Sequence, residues 1–260
     1  MKLSLVVTTY NWPLALDRLL ASVARQVVAP LEVIVADDGS GPETAAVVEE
    51  WQERLTVPLI HLWQEDSGFR LARARNMGIA AAAGDYIAFV DGDMILDDWF
   101  VADHQACARP AAFIQGKRIR LSPVITAALL GAQPGKLNRW STIRRYGGSA
   151  WRQPLLSRLR SRAALTLDHV QGCNQSFWRE HLVRINGFDE RFGKWGYEDL
   201  ELAQRLLNSG IARYYVKHRA LAFHLHHEVK QALPGNPNEI MFRETVSTRR
   251  QRCDVGLDSH

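Results

Sequence analysis

The 260-residue chain lacks the features that mark membrane-spanning, secreted and zinc-cluster proteins. No apolar run reaches the roughly 18 residues that a membrane-spanning helix needs. The three cysteines, Cys107, Cys173 and Cys253, are far apart and odd in number, which fits neither a disulfide framework nor a zinc site. The first nine residues form a strand-like run without the pattern of a cleavable signal peptide. We therefore predict a reduced, cytoplasmic protein, and a peripheral position at the inner face of the membrane stays open.

The chain also lacks a P-loop and a G-x-G-x-x-G motif, the common glycine-rich cradles for nucleotide phosphates. Bound phosphates would then be held by a metal ion and by arginines. Arg75, beside Asn76 near the start of an alanine-rich helix, is a candidate, because a helix N-terminus with guanidinium groups favours anions. The alternative is an arginine on an exposed helix face.

Carboxylates are absent between Asp103 and Asp168, a span that is nevertheless rich in basic residues. A block of one sign indicates an anionic partner, such as a phosphorylated glycan, an anionic membrane surface or nucleic acid, and of these we do not expect nucleic acid. The alternative is a solvated basic face. The basic residues are Arg109, Lys117, Arg118, Arg120, Lys136, Arg139, Arg144, Arg145, Arg152, Arg158, Arg160 and Arg162.

The order of apolar segments predicts an α/β domain. Strand-like runs at Leu3–Thr9, Leu31–Ala36 and Pro58–Trp63 alternate with helical patterns, the first capped by Asn11 and the second covering Pro42–Arg54. This alternation is typical of a parallel sheet with right-handed crossovers. Ligands of such sheets bind at the carboxyl ends of the strands.

Two carboxylates follow a fourth buried strand, in the segment Gly84–Asp93. Asp91 and Asp93 point the same way on an extended backbone, and Gly92 adds no side chain between them. Hard oxygen donors at a strand end suit Mg²⁺ or Mn²⁺ shared with substrate phosphates. An ordinary Asp-Gly turn after a strand explains the segment equally well.

Two further groups of polar residues are candidates for chemistry. Glu198 and Asp199 open a predicted helix, where they are either capping charges or a base that accepts a hydroxyl proton. His224 and His226 follow a predicted strand and share one face if the chain is extended there, so either could add a nitrogen ligand to a metal.

The periodicity weakens from Leu121 to Leu165, which predicts a partly mobile insertion. Within it, Trp151–Leu165 predicts a basic amphipathic helix with leucines on one side and arginines on another, suited either to a membrane surface or to packing on the domain. The polar composition after Glu228 predicts a C-terminal extension that is disordered from Thr248 onward.

Several of these segments, in this order, resemble glycosyltransferase family 2, with a later segment similar to β-1,4-galactosyltransferases and chondroitin-type polymerases. The resemblance implies a GT-A (Rossmann-like) fold, with a mostly parallel central sheet flanked by helices, in a single domain with a basic insertion. It implies a domain over residues 1–227, divided into a nucleotide-sugar half (1–100), the insertion (115–165) and an acceptor and catalytic half (170–227), before the 228–260 extension. The matching segments are Val6–Asn11, Val33–Ser40, Ala74–Gly78, Gly84–Asp93, Ile185–Glu190 and Trp195–Asp199.

The resemblance also implies a role for each candidate residue. Asp199 would be the catalytic base, with Glu198 beside it. Contacts to the donor nucleotide would come from Thr9, Tyr10, Asn11, Asp37, Asp38, Arg75, Asp91 and Gly92. Ligands of Mn²⁺ or Mg²⁺ would come from Asp91, Asp93, His224 and His226. Contacts to the acceptor would come from Trp195, Gly196, Glu198 and Asn174.

These features predict an inverting, metal-dependent glycosyltransferase. Its donor would be a nucleotide-diphosphate sugar, with a UDP-sugar favoured, and its acceptor a glycan or a lipid-linked hydroxyl in bacterial surface polysaccharide or lipopolysaccharide synthesis. One alternative is an inactive GT-A module that binds a glycan or a membrane. The other is a sugar-phosphate nucleotidyltransferase, which would need a glycine-rich basic loop where this chain has Thr8–Asn11.

Overall fold

The computed structural model describes residues 1–131, 145–228 and 235–260. Within these ranges the strands are β1 Leu3–Thr9, β2 Glu32–Asp37, β3 Leu59–Trp63, β4 Tyr86–Asp91, β5 Met94–Leu96, β6 Ala112–Gln115, β7 Lys117–Arg120, β8 Arg162–Ala164, β9 Asn174–Trp178, β10 Ala212–Tyr215 and β11 Leu221–His224. The helices are α1 Pro13–Val23, α2 Pro42–Arg54, α3 Leu71–Ala81, α4 Phe100–Cys107, α5 Pro123–Gly131, α6 Pro154–Arg160, α7 Arg179–Arg184, α8 Glu198–Asn208 and α9 Pro237–Thr248.

The main sheet has the strand order β3-β2-β1-β4-β9-β6-β10-β8. Strands β3, β2, β1 and β4 are mutually parallel, β9 runs antiparallel between β4 and β6, and β10 is parallel to β6. The predicted α/β fold with a mostly parallel central sheet and flanking helices is confirmed.

The alternation of side chains on β1 divides the core into two layers. Leu5 and Val7 belong to one apolar cluster with α1 and α2, whereas Val6 belongs to a second cluster with α3 and α8. Because successive strand residues point to opposite faces, a strand that is covered on both faces has to be apolar throughout. Every residue of β1 is buried, as its composition predicts.

A smaller sheet with the order β5-β11-β7 packs beside the carboxyl ends of the main strands. It has its own apolar cluster, in which Ile95, Ile119 and Phe223 meet Ala15 of α1. This sheet forms one wall of the cleft described below, and it places the end of β11 next to the loop that follows β4.

The prediction of a disordered C-terminal segment from Thr248 onward is wrong. After α9, Cys253 is 2% exposed and its backbone N–H donates to the carbonyl of Ile185. Arg250 lies between the buried carboxylates of Asp189 and Glu201. Polar composition did not reveal this packing, because it depends on partners distant along the chain, the carboxylates that pair with Arg250 and the core cluster that Leu257 packs against.

The helix predicted over Trp151–Leu165 is shorter than expected. It ends at Arg160, and Arg162–Ala164 forms the edge strand β8, antiparallel to β10. One of its arginines has a structural role, since Arg152 makes two hydrogen bonds to the carboxylate of Asp103. Of the predicted 115–165 insertion, residues 132–144 lie outside the described residues. Among the helices that the structure describes, none combines the length and apolarity that crossing a bilayer requires.

Candidate active site

A cleft of about 1100 Å³ opens at the carboxyl ends of β1 and β4, between the main sheet, the smaller sheet and the start of α8. Most of the residues predicted from the sequence line it, although their functional roles stay predictions. The lining includes Thr8, Thr9, Tyr10, Asn11, Asp38, Arg75, Asp91, Gly92, Asp93, Arg118, Arg120, Trp195, Gly196, Glu198, Asp199, His224 and His227.

The turn after β4 directs its two carboxylates, those of Asp91 and Asp93, toward different partners. Asp91 accepts hydrogen bonds from Thr8 Oγ1 (2.9 Å) and Arg75 Nη2 (3.2 Å), so it is tied to the neighbouring strand and to α3. Gly92 is needed for close approach, because a Cβ there would lie 3.1 Å from the Thr8 carbonyl oxygen. Asp93 points instead toward the smaller sheet.

Asp93 forms a compact cluster with two histidines. Its Oδ2 lies 3.3 Å from His224 Nε2 and 3.0 Å from His227 Nε2, and the three potential ligand atoms lie within 4.8 Å of one another. Burial would raise the pKa of Asp93, but the hydrogen bonds from the two histidines outweigh it and lower this pKa to about 2. The carboxylate is therefore charged at any working pH.

The sequence prediction of His226 as the alternative ligand is wrong in geometry. Strand β11 ends at His224, so the alternation that would put His226 on the same face stops there. His226 is exposed outside the cleft, and its backbone N–H bonds Thr126. His227, three residues after His224, reaches Asp93 instead. Asp91, the other predicted ligand, is also outside this three-residue cluster.

The cluster fits a divalent cation of the Mg²⁺ or Mn²⁺ type. The second oxygen of Asp93 is buried and has no hydrogen-bond partner among the described residues, which is costly for a charged carboxylate unless a cation compensates it. One carboxylate with two imidazoles is a donor set that favours Mn²⁺ over Mg²⁺, because nitrogen ligands are softer than oxygen.

Arg75 lies fully buried at the centre of the carboxylates. It donates from Nη1 to Glu198 Oε1 (3.1 Å) and from Nη2 to Asp91, and its guanidinium lies 5.2 Å from the ring centroid of Phe188. Burial would lower its pKa, but the charges of Asp91, Glu198 and Asp199 outweigh this effect and raise it. Arg75 therefore serves first as the counter-ion of the carboxylates, rather than as the free anion-binding group that the sequence indicated.

Glu198 and Asp199 begin α8, directly after a residue held in an unusual conformation. Tyr197 has φ 73°, a left-handed conformation that non-glycine residues rarely adopt and that recurs at functional sites. Asp199 accepts hydrogen bonds from the backbone N–H groups of Gly172 (2.7 Å) and Leu200 (2.8 Å). Glu198 keeps one buried oxygen without a partner among the described residues. A capping role alone would not leave this oxygen unsatisfied.

Both of these carboxyl groups have raised pKa values. Burial raises the pKa of Glu198 to about 7, the charge of Asp199 adds to this, and Arg75 opposes it. Burial likewise raises the pKa of Asp199 against the lowering effect of Arg75. Carboxyl groups with raised pKa values are stronger proton acceptors, so this pair is suited to proton transfer.

The two predicted nucleotide carboxylates differ in position. Asp38 lines the cleft and accepts a hydrogen bond from the backbone of Arg70 (2.9 Å). Asp37 is 1% exposed and does not line the cleft, because it points under the loop and bonds Ser40 N and His61 Nε2. Adjacent residues at a strand end face opposite ways, so only one of the pair could point outward.

Two expectations on polar side chains near β1 and β9 need correction. Asn174, predicted to contact the acceptor, is fully buried and bonds His104 and the backbone of Ala220. It joins strands rather than facing a ligand. Asn11 lines the cleft as predicted but does not cap α1, because its side chain accepts from Gly41 N and the cap position falls to Trp12.

The sequence did not single out two arginines that line the cleft. Arg118 and Arg120 lie on the same face of β7, opposite buried Ile119, and no carboxylate of the described residues pairs with either. They belong to the basic block, but only the register of β7 beside β11, in which Arg120 faces His224, places them near Asp93. The alternation of side chains along a strand could have predicted that the two arginines share a face, but not that this face lies at the cleft.

Comparison with protein families finds a match for two segments of the chain. Residues 4–118 match the model of glycosyl transferase family 2, and residues 156–228 match the model described as the N-terminal domain of galactosyltransferase. The first segment is thus similar to glycosyl transferase family 2, as the motifs predict.

Similar curated proteins are glycosyltransferases and polysaccharide synthases. Validoxylamine A glucosyltransferase of Streptomyces hygroscopicus subsp. limoneus is 35% identical over 80% of this chain and 48% of its own length. Hyaluronan synthase of Pasteurella multocida is 28% identical over 91% of this chain and 25% of its own, and chondroitin synthase of Escherichia coli is 29% identical over 91% and 36%. The chain spans between a quarter and about half the length of these relatives.

Among solved structures, TarS of S. aureus (residues 1–349) superposes with a TM-score of 0.66 at 17% identity, over all of this chain and 68% of that one. The same fragment in complex with UDP-GlcNAc also has a TM-score of 0.66, at 18% identity. At this level of identity the likeness concerns the fold, and the chain has the GT-A fold.

Proposed function

We propose that this chain is an inverting, metal-dependent glycosyltransferase. It would transfer a sugar from a nucleotide diphosphate, with UDP favoured, to a hydroxyl of a glycan or a lipid-linked acceptor in bacterial surface polysaccharide or lipopolysaccharide synthesis. One observation carries the proposal: a single cleft holds both the cluster of Asp93, His224 and His227, which fits a cation, and the carboxyl pair of Glu198 and Asp199, in which one oxygen of Glu198 has no partner among the described residues. The family of residues 4–118 and the glycosyltransferases among the relatives support it.

The end of the cleft that is formed by the residues after β1 and β2 is suited to a nucleoside. Asp38 presents a carboxylate beside Thr9 and Tyr10, and Tyr10, which is 52% exposed and donates its hydroxyl to Asp66, offers a ring face to a base. Arg118 and Arg120 would meet the diphosphate from the smaller sheet, because their charges are not used by carboxylates of the described residues. The UDP-GlcNAc complex of TarS supports UDP as the first nucleotide to test.

Asp93, His224 and His227 would hold Mn²⁺ or Mg²⁺. Such an ion neutralises the charge that develops on a leaving diphosphate. The protein's own contribution is to hold the three ligands on two adjacent segments, the turn after β4 and the end of β11. They are adjacent because β5, which follows that turn, pairs antiparallel with β11.

The proton chemistry would belong to Asp199. Its carboxylate is fixed by the backbone N–H groups of Gly172 and Leu200 and faces the cleft, where it would accept the proton of the attacking acceptor hydroxyl. The free oxygen of Glu198 would accept a hydrogen bond from another acceptor hydroxyl. Trp195, 41% exposed at the mouth of the cleft, offers a ring for a sugar face.

The metal assignment predicts different effects for two neighbouring histidines. Asp93→Ala and His227→Ala should each weaken UDP binding in Mn²⁺ by about tenfold or more, because loss of a ligand or its support typically has this effect. His226→Ala, a matched control one residue away, should leave UDP affinity unchanged. Calorimetric titration with UDP in Mn²⁺ and in EDTA measures this directly. Equal effects of the two histidine substitutions would contradict the assignment.

The carboxylate pair predicts a pH dependence. Burial and the charge of Asp199 raise the pKa of Glu198 to about 7, and burial raises the pKa of Asp199 too, so the capacity of the pair to accept a proton should fall as the pH is lowered through neutrality. At saturating Mn²⁺, kcat/KM should rise with pH and level off above roughly pH 7–8. Glu198→Gln removes the neighbouring charge, so the midpoint should move to lower pH. A flat profile from pH 5.5 to 8.5 would count against a base in this pair.

The two alternative functions make different predictions. An inactive binding module would bind nucleotide sugar without turning it over, whereas a transferase should slowly hydrolyse its donor in the presence of metal. A sugar-phosphate nucleotidyltransferase would instead release pyrophosphate from a nucleoside triphosphate. A thermal-shift screen of nucleotide sugars with Mn²⁺, followed by hydrolysis assays on the hits, tests the proposal against the inactive module, and a pyrophosphate-release assay with nucleoside triphosphates tests it against the nucleotidyltransferase.

A further inference from the structure

The short helix α6 and the strand β8 after it present a surface that the transfer reaction does not use. Leu155 and Leu159 are 78% and 79% exposed, although leucines at this spacing normally face a core. Exposed arginines lie beside them along the chain. We call this set the basic leucine face: Leu155, Arg158, Leu159, Arg160 and Arg162.

The packing of α6 fixes this orientation. Ser157 is the buried residue of the helix, at 3% exposure, so the opposite side of α6 must face outward. Both ends of the helix are attached to the segment after β10, through Gln153 N–H to the His218 carbonyl and Lys217 N–H to Ser161 Oγ. The two leucines are therefore held away from the core.

The arginines of this face are free for an external partner. Across the part of the chain that the structure describes, no carboxylate pairs with Arg158, Arg160 or Arg162. Arg152, just before α6, is the contrast, because it is bound to Asp103 and stacks on Trp99 at 4.3 Å. The absence of carboxylates from Asp103 to Asp168 thus leaves an unbalanced positive field at the basic leucine face.

The topology of the sheet places this face on the same edge as the cleft. In the antiparallel β8–β10 pair, Arg162 at the start of β8 faces Tyr215 at the carboxyl end of β10. Strand β10 is parallel to β6, which runs in the same direction as β4 because both are antiparallel to β9. Four strand spacings separate β4 from β8, so the face lies about 20 Å to the side of Asp91.

We propose that the basic leucine face docks on an anionic lipid surface and holds the open cleft beside it. Exposed leucines that alternate with unpaired arginines match the apolar boundary and the charged headgroups of such a membrane. Nucleic acid would use the arginines but leave the leucines in water. The docking does not depend on the transfer reaction, although it would give a lipid-linked acceptor a short path to the cleft.

The test is co-sedimentation of the protein with vesicles of phosphatidylcholine alone and with phosphatidylglycerol added at about a third. We expect binding to the anionic vesicles to exceed binding to the neutral ones by at least about tenfold and to weaken with added salt, because headgroup attraction is screened. Equal binding to both vesicles, or binding to neither, overturns the proposal.

Two double substitutions and two controls test whether the basic leucine face is the docking surface. Leu155→Ser with Leu159→Ser, and separately Arg158→Glu with Arg160→Glu, should each reduce vesicle binding at least about tenfold. Val27→Ser and Arg54→Glu change an exposed valine after α1 and an exposed arginine at the end of α2, both outside the basic leucine face, and should change vesicle binding little. Since all six side chains are exposed, nucleotide-sugar hydrolysis should stay at the wild-type level. Unfolding temperatures should change little too, except for Arg54→Glu, which loses the ion pair to Glu50 and the contact with Trp51.

Two other results would overturn the proposal. One is a dimer in light scattering that the leucine substitutions dissociate, since the face would then be an interface between copies of the chain. The other is a duplex DNA or RNA complex that depends on the arginines but not on the leucines. Neither result bears on the transfer reaction, and loss of hydrolysis with retained vesicle binding would count only against the proposed enzymatic function.

Discussion

Replacing Asp199 by asparagine is expected to lower the turnover number by roughly 10²–10⁴-fold, the range that a general base typically contributes. Asparagine has nearly the same size as aspartate, so the main change is the loss of the carboxylate that would accept the proton. Donor binding should remain, since Asp93, His224 and His227 are untouched. The measurement is steady-state transfer together with UDP affinity in Mn²⁺.

The hydrogen bonds of Asp199 require a stability control in this experiment. Both carboxylate oxygens accept backbone N–H groups, from Gly172 and Leu200, and an amide can accept only with its one oxygen. The unsatisfied donor costs about 1–3 kcal/mol, so a lower unfolding temperature is expected and must not be mistaken for catalytic loss. Titration with UDP shows whether the cleft is intact.

Glu198→Gln provides the contrast. It keeps Asp199 but changes the group that would hold the acceptor, so the acceptor KM should rise more than kcat falls. If Asp199→Asn turns over normally, or if Glu198→Gln is the more damaging to kcat, Asp199 is not the base.

The sequence was sufficient to predict the parallel half of the fold. The strand-helix alternation up to Trp63 and the limits Pro42–Arg54 of the second helix agree with the structure, because β1 and β2 are buried on both faces and α2 buries one apolar side. The main part of the cleft was predicted for the same reason, since residues that follow parallel strands meet at one edge.

The parts that sequence could not predict depend on partners distant along the chain. His227 replaces His226 because β11 ends at His224, and no local pattern shows where a strand stops pairing. Asn174 is buried against His104, a partner 70 residues away along the chain that no local pattern indicates. The packed C-terminal segment around Arg250 depends on Asp189 and Glu201. Polar residues look alike in sequence whether they face solvent or a buried partner.

Arg75→Met is expected to have the largest effect on stability among single substitutions in the cleft. The side chain is 2% exposed and compensates Asp91 and Glu198 directly, with Asp199 close by. Removing one partner of a buried ion pair typically costs about 3–5 kcal/mol, because the remaining charges stay buried without compensation. For a chain of this size we expect the unfolding temperature to fall by roughly 10 °C at pH 8. Transfer activity should be lost as well, because the geometry of Glu198 depends on this pair.

Arg73→Met is the matched control, two residues earlier on the same helix. Its side chain is 40% exposed, its carboxylate contact to Glu190 is 4.0 Å long, and it donates one hydrogen bond to Gln64, so the expected loss is only about 1 kcal/mol. Arg75→Lys should fall between the two, because one ammonium cannot bond two carboxylates in the fork geometry of a guanidinium.

The pH dependence of the Arg75→Met loss separates charge compensation from simple packing. Glu198 and Asp199 have pKa values above those of the unfolded chain, and without Arg75 these should rise further. Groups with raised folded-state pKa values are protonated in both states below about pH 4, so there the buried charge is absent and has no cost. The cost grows as pH rises from the unfolded pKa values through the folded ones. The variant should therefore lie closest to the wild type near pH 5 and farthest above neutrality, whereas a loss of the same size at both pH values would assign Arg75 a packing role against Phe188 alone.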